Sequence, residues 1–136
     1  MRSIRTGALG GAAVLALLGG CGGKDGGPQP SPAGDLVVTY FQGGVQPGAI
    51  LLTITGGAVE SVSALPGVSV QVAYNVVIPG TTKVLLTGAM STGDLFKIRV
   101  ADTTLATSYV ARPDQVADNI TFALVDPAGH TFTVHR

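Results

Sequence analysis

From Asp35 onward apolar residues recur at every second position. Val68, Val70, Val72, Tyr74, Val76 and Ile78 alternate with Ser69, Gln71, Ala73, Asn75 and Val77. Such alternation lets a strand bury one face and wet the other, whereas a helix would scatter the same residues around its axis. Phe96, Ile98 and Val100 against Leu95, Lys97 and Arg99 repeat it with the charges on the wet side, and Phe132 and Val134 against Thr131, Thr133 and His135 repeat it again. Further strands are expected over 36–42, 49–55, 58–64, 82–87, 107–112 and 120–126, all rich in Val, Thr, Leu or Ile.

Breakers separate these runs: GGVQPG, GG, LPG, PG, STG, RPD and DPAG. Each gap is short enough for neighbouring strands to pair antiparallel. In Asp126-Pro127-Ala128-Gly129 the proline presets φ for a turn and the glycine releases the exit, so a hairpin is expected over 120–135. About nine strands at such spacing predict an all-β chain folded as an antiparallel two-layer β-sandwich, with a small closed barrel as the alternative. The pattern resembles immunoglobulin-like and cohesin-like sandwiches. There is one cysteine and no tryptophan, so the core must hold without a disulfide. Each fully buried large aliphatic side chain contributes about 1.5–3 kcal/mol, which makes that feasible.

The first 34 residues follow a different plan. Arg2 and Arg5 precede an uncharged, mostly apolar run, TGALGGAAVLALL, over residues 6–18, which is the layout of an export signal. At about 1.5 Å per residue this run reaches roughly 20 Å, short of the roughly 30 Å hydrocarbon core of a bilayer. Residues 22–34, GGKDGGPQPSPAG, have no aliphatic side chain larger than Ala and no aromatic, so they read as a tether with a span of roughly 20 Å. The expected organisation is a signal peptide over 1–20, a modified cysteine and tether over 21–34, and the sandwich over 35–136.

Leu18-Gly19-Gly20-Cys21 resembles the lipobox of bacterial lipoproteins. The resemblance implies cleavage between Gly20 and Cys21, a diacylglyceryl group on the Cys21 thiol, and acylation, for instance by palmitate, of the new amino terminus. Two or three acyl chains attach a protein durably because each buried methylene contributes about 0.8 kcal/mol. The expected site is therefore lipidation at Cys21, and the expected partner is the lipid bilayer. Gly22 stands where Asp would signal retention in the inner membrane, which favours the outer membrane in a two-membrane cell and puts the domain in the periplasm or outside the cell.

Charge and chemistry-bearing residues narrow the function. From Cys21 onward six Lys/Arg face eight Asp/Glu, and the cations are scattered, which argues against nucleic acid. The imidazoles are His130 and His135; both are expected to be solvated, and no Ser lies on a nucleophile turn of the G-x-S-x-G kind. Zinc lacks ligands. Asp94, Asp102, Asp114 and Asp118 sit in or beside loops without the spacing of a calcium loop, and Asp114 and Asp118 read as caps of turns. No catalytic residue, metal or cofactor is assigned. Of Tyr40 and Phe41, adjacent on one strand, one must point outward.

The chain resembles small bacterial envelope lipoproteins carrying an immunoglobulin-like domain, and the resemblance implies a non-catalytic binding or structural module. Its contacts would be other envelope proteins, met through a strand edge or the loops opposite the tether. The alternatives are a carbohydrate-binding module, which needs a flat exposed face at Tyr40, Phe41 or Tyr109, and a small hydrolase, which needs a cleft holding His beside Ser or Asp.

Overall fold

The structure, a computed structural model, describes Gly27 and residues 29–136. Nine strands follow in order: β1 (Gly34–Phe41), β2 (Pro47–Thr55), β3 (Ser61–Ala64), β4 (Gln71–Ile78), β5 (Thr81–Thr87), β6 (Gly93–Val100), β7 (Val110–Asp118), β8 (Leu124–Val125) and β9 (Thr131–His135). They form a four-stranded sheet, β3-β6-β1-β9, and a five-stranded sheet, β4-β5-β2-β7-β8, with every pairing antiparallel. The domain is a two-layer β-sandwich. Leu36, Val38 and Tyr40 of β1 and Phe96, Ile98 and Val100 of β6 face Ile50, Leu52 and Ile54 of β2 and Val84 and Leu86 of β5 in a solvent-free core. These are the inward positions that period-two alternation selects.

Sequential strands pair less than their short gaps suggest. Among the described residues, only β4 with β5 and β7 with β8 are neighbours in both sequence and sheet. The other connections cross from one layer to the other, since packed sheets lie only about 10 Å apart and a few residues span that gap. The hairpin expected over 120–135 is therefore replaced by an arch. Leu124–Val125 pairs with β7 and Thr131–His135 with β1, and Pro127–Gly129 forms a 3₁₀ turn whose first amide is capped by Asp126. Gly43 and Gly129 bring the two loops there into backbone contact; a Cβ on Gly43 would lie 2.0 Å from the Gly129 carbonyl oxygen.

Other boundaries move for local reasons. The expected strand over 107–112 begins at Val110, because Thr103–Ser108 is a 3₁₀ segment capped by the Asp102 carboxylate. It then runs on through Arg112-Pro113-Asp114, where a bulge opposite Leu51 and Leu52 absorbs the proline. The β8 partner reaches only Val116 and Ala117, so β8 asks no donor of Pro113 on that side. The expected strands over 58–64 and 120–126 shorten to Ser61–Ala64 and Leu124–Val125.

The run 68–78 shows the largest departure. Its strand begins at Gln71, and register keeps Val72, Tyr74 and Val76 opposite the inward-facing Leu86, Val84 and Thr82. Yet β4 is an edge strand that overhangs the four-residue β3 across the sandwich. Tyr74, Val76 and Ile78 consequently remain 43%, 44% and 59% exposed.

Candidate functional site

The two outer faces of the sandwich differ in chemistry. On the four-stranded sheet, Asp35 of β1 accepts from Lys97 Nζ at 2.7 Å and from Arg99 Nη1 at 3.3 Å. Arg99 also lies 3.8 Å from Glu60. The hydrogen bond from Lys97 leads the effects holding the Asp35 carboxyl below its ordinary range. This face is a lattice of paired charges and hydroxyls.

Further along the same face, Thr39 of β1 stands between Asp94 of β6 and His135 of β9. Thr39 Oγ1 donates to Asp94 and lies 2.8 Å from His135 Nε2, while His135 Nδ1 donates to the Arg136 carbonyl at 2.8 Å. With Nδ1 carrying the proton of a neutral ring, Nε2 and the Asp94 carboxylate compete for the single hydroxyl proton of Thr39. Thr39 donates its one proton to Asp94 and so does not offer it to His135 Nε2. A ring activating a nucleophile would need Nε2 free to take the proton. The trio lies open on a sheet face and its hydrogen bonds are exposed.

His130, expected at the surface, is buried at 2% exposure. Its Nδ1 lies 2.7 Å from the Tyr40 hydroxyl, with the rings stacked at 6.0 Å between centroids. Burial lowers the His130 pKa and raises that of Tyr40 to about 12, so both groups are held neutral. Tyr40 is a core residue 90 positions away whose hydroxyl needs a partner inside, and the turn at Pro127–Gly129 supplies it. His135 is exposed, as expected.

The four aspartates weighed as calcium ligands are engaged separately. Asp94 holds Thr39, Asp102 caps the 3₁₀ segment, and Asp118 accepts from the amides of Ile120 and Thr121 at 2.8 Å. Asp114 accepts from Lys83 at 2.7 Å and Thr53 at 2.6 Å. Burial pushes the Asp114 carboxyl up, but these bonds prevail and hold it below its ordinary range. Asp118 caps a turn, whereas Asp114 is a strand residue at the bulge of β7. Among the described residues no group of three His, Cys, Asp or Glu side chains converges as a metal site.

The outer face of the five-stranded sheet is mixed, with Lys83, paired with Asp114 and Thr53, beside Leu51, Leu85 and further apolar residues. Register places Ala73, Leu85, Leu51, Ala49, Ala117 and Leu124 on this outer side, two on β2 and one on each of the other four strands. Leu51, Leu85, Ala117 and Leu124 share one shallow depression, and Ala49 joins it to a second bordered by Phe122. Beyond the sheet, the β7–β8 turn carries Ile120 and Phe122 at 80% and 72% exposure, and Leu124 at the start of β8 is 69% exposed. Phe122 holds φ +56°, a left-handed conformation that side chains with a Cβ seldom adopt. The turn lies at the pole away from Gly34: β1 runs from Gly34 to Phe41, the next strand starts nearby at Pro47, and Pro47 pairs with Asp118.

Composition alone did not single out this patch, since Ile120 and Phe122 read as strand residues; the signal was Asp118-Asn119, a turn-forming pair directly before them. Of the aromatics weighed for sugar binding, Tyr40 and Tyr109 are buried, the latter donating to the Ala58 carbonyl at 2.9 Å, and Phe41 is the outward member of its pair. Cys21, Gly20 and the whole expected signal peptide lie outside the described residues. The end of the expected tether joins the domain, with the Pro32 carbonyl accepting from the Thr103 amide at 2.9 Å. Among the described residues no helix is long and apolar enough to cross a membrane. Comparison with known proteins finds no matching family model, no similar curated protein and no similar solved structure.

Proposed function

We propose that this chain is a bacterial envelope lipoprotein, anchored through acylated Cys21, whose sandwich is a non-catalytic binding module. The observation that carries the binding role is the apolar pole carrying exposed Ile120, Phe122 and Leu124, of which Phe122 and Leu124 border the depressions on the outer face of the five-stranded sheet. Contiguous exposed apolar surface is unfavourable in water and marks sites that another surface covers. Burying each of these side chains contributes about 1.5–3 kcal/mol, the scale of a small hot-spot cluster. The chain enters the domain at the other pole, so a tether there leaves this surface directed away from its own attachment.

The partner in this reading is another envelope protein. Crosslinking in the native cell followed by mass spectrometry tests it. Crosslinks from the β7–β8 turn to a protein neighbour are expected, and Phe122→Ser is expected to remove them. Neighbours that are lipid alone, or crosslinks unchanged by Phe122→Ser, would contradict the binding role.

A further inference from the structure

The described strands leave four sheet edges: β3 and β9 in one layer, β4 and β8 in the other. Three are blunted. β8 has two residues and β3 has four, with Glu60 at its start, and β9 has five ending in His135. The fourth, β4, is eight residues long, and no charged residue occurs between Glu60 and Lys83. Natural edges of this length usually carry a charge, a proline or a bulge that deters pairing. Here Pro79 and the irregularity between Val76 and Ile78 guard only one end.

We propose that β4 is a homodimerisation edge: two copies of this chain pair antiparallel through β4 about a two-fold axis at Tyr74, joining their five-stranded sheets into one continuous sheet. The occupant follows from the order of residues. In such a pairing, residues equally spaced on either side of Tyr74 become opposite partners on the same face. Val72 then meets Val76 of the other copy on the inner side, Ala73 meets Asn75 on the outer side, and Tyr74 meets Tyr74. Branched aliphatic meets branched aliphatic and the larger amide meets the smaller methyl.

An uncharged strand brings no like charges together on self-pairing, and it carries no charge pattern to select a partner of different sequence. The nearest cation, Lys83, is already held by Asp114. Tyr74 and Val76, inward by register yet half-exposed, gain the cover that the short β3 does not give them. This interface is distinct from the apolar pole and does not require the anchor.

The test is the mass of the full-length protein by sedimentation equilibrium, in density-matched detergent when it carries lipid and in buffer when it does not, so the result is independent of the anchoring proposal. Wild type is expected at the mass of two chains. Tyr74→Lys and Tyr74→Glu, each with an unchanged β-type circular dichroism spectrum, are expected at the mass of one chain, because the axis sets like charges against each other. An equimolar mixture of the two variants is expected to return to the mass of two chains. Wild type at the mass of one chain, open-ended polymers, charged variants that still dimerise alone, or a mixture that stays monomeric would each overturn the proposal.

Discussion

Thr82 sits in the core side of β5, 1% exposed, and its hydroxyl has no hydrogen-bond partner among the described residues. A buried, unpaired hydroxyl costs free energy that an isosteric methyl avoids. Thr82→Val is therefore expected to raise stability by about 1 kcal/mol, read as a higher urea midpoint with an unchanged slope. The buried Tyr40–His130 pair is the opposite case, a polar contact fully made. Burial holds the His130 pKa below its ordinary 6.5, so below that value the unfolded chain binds a proton that the folded chain refuses. The stabilisation is complete above about pH 7 and is lost as pH falls through the folded pKa. His130→Gln removes that titration, and its stability is expected to vary less than wild type between about pH 7 and pH 5. Parallel curves would contradict the assignment of His130 as the group responsible. The lowered carboxyls of Asp35, Asp102, Asp114 and Asp118 produce a separate loss at more acid pH, as each protonates below 3.8.

Strands were legible from the alternation of Val, Leu, Ile and Thr because side-chain direction in a strand is a local property. Which sheet each strand joins was not, since an arch between layers and a hairpin within one layer use the same short, Gly- and Pro-rich connections. Tyr74 and Val76 illustrate the limit: their spacing marks an inward face, but the length of β3, on the other layer, decides whether that face is covered. Pro113 shows the converse, a breaker by sequence that a bulge and a short neighbour make tolerable. His130 was unreadable because its partner, Tyr40, is distant in sequence. The β7–β8 turn allows a test that separates folding from binding. Phe122 sits at φ +56° with an exposed ring, a conformation costing L-residues roughly 1–2 kcal/mol and glycine little. Phe122→Gly is expected to leave stability unchanged or raise it by up to about 1 kcal/mol while removing the crosslinks to a partner. A loss of stability above about 1 kcal/mol would show that the ring serves the fold.

For the whole molecule, the two outer faces and the two poles divide the work. The four-stranded sheet offers water a lattice of charges around Asp35 and Thr39, while the five-stranded sheet combines one ion pair, Lys83–Asp114, with exposed apolar side chains that run on to its β7–β8 turn. The Gly34 pole receives the chain from the tether side. In our account a thioether-linked lipid on Cys21 fixes that side to a bilayer and leaves the apolar pole to meet its partner. Fractionation of cells expressing wild type and Cys21→Ser tests this most directly, with the intact mass of each recovered chain. The account predicts a wild-type chain that starts at Cys21, carries acyl mass and sediments with membranes, and a Cys21→Ser chain that keeps its leader and carries no acyl mass. A Cys21→Ser chain processed at the same bond and recovered with membranes to the same extent would contradict it.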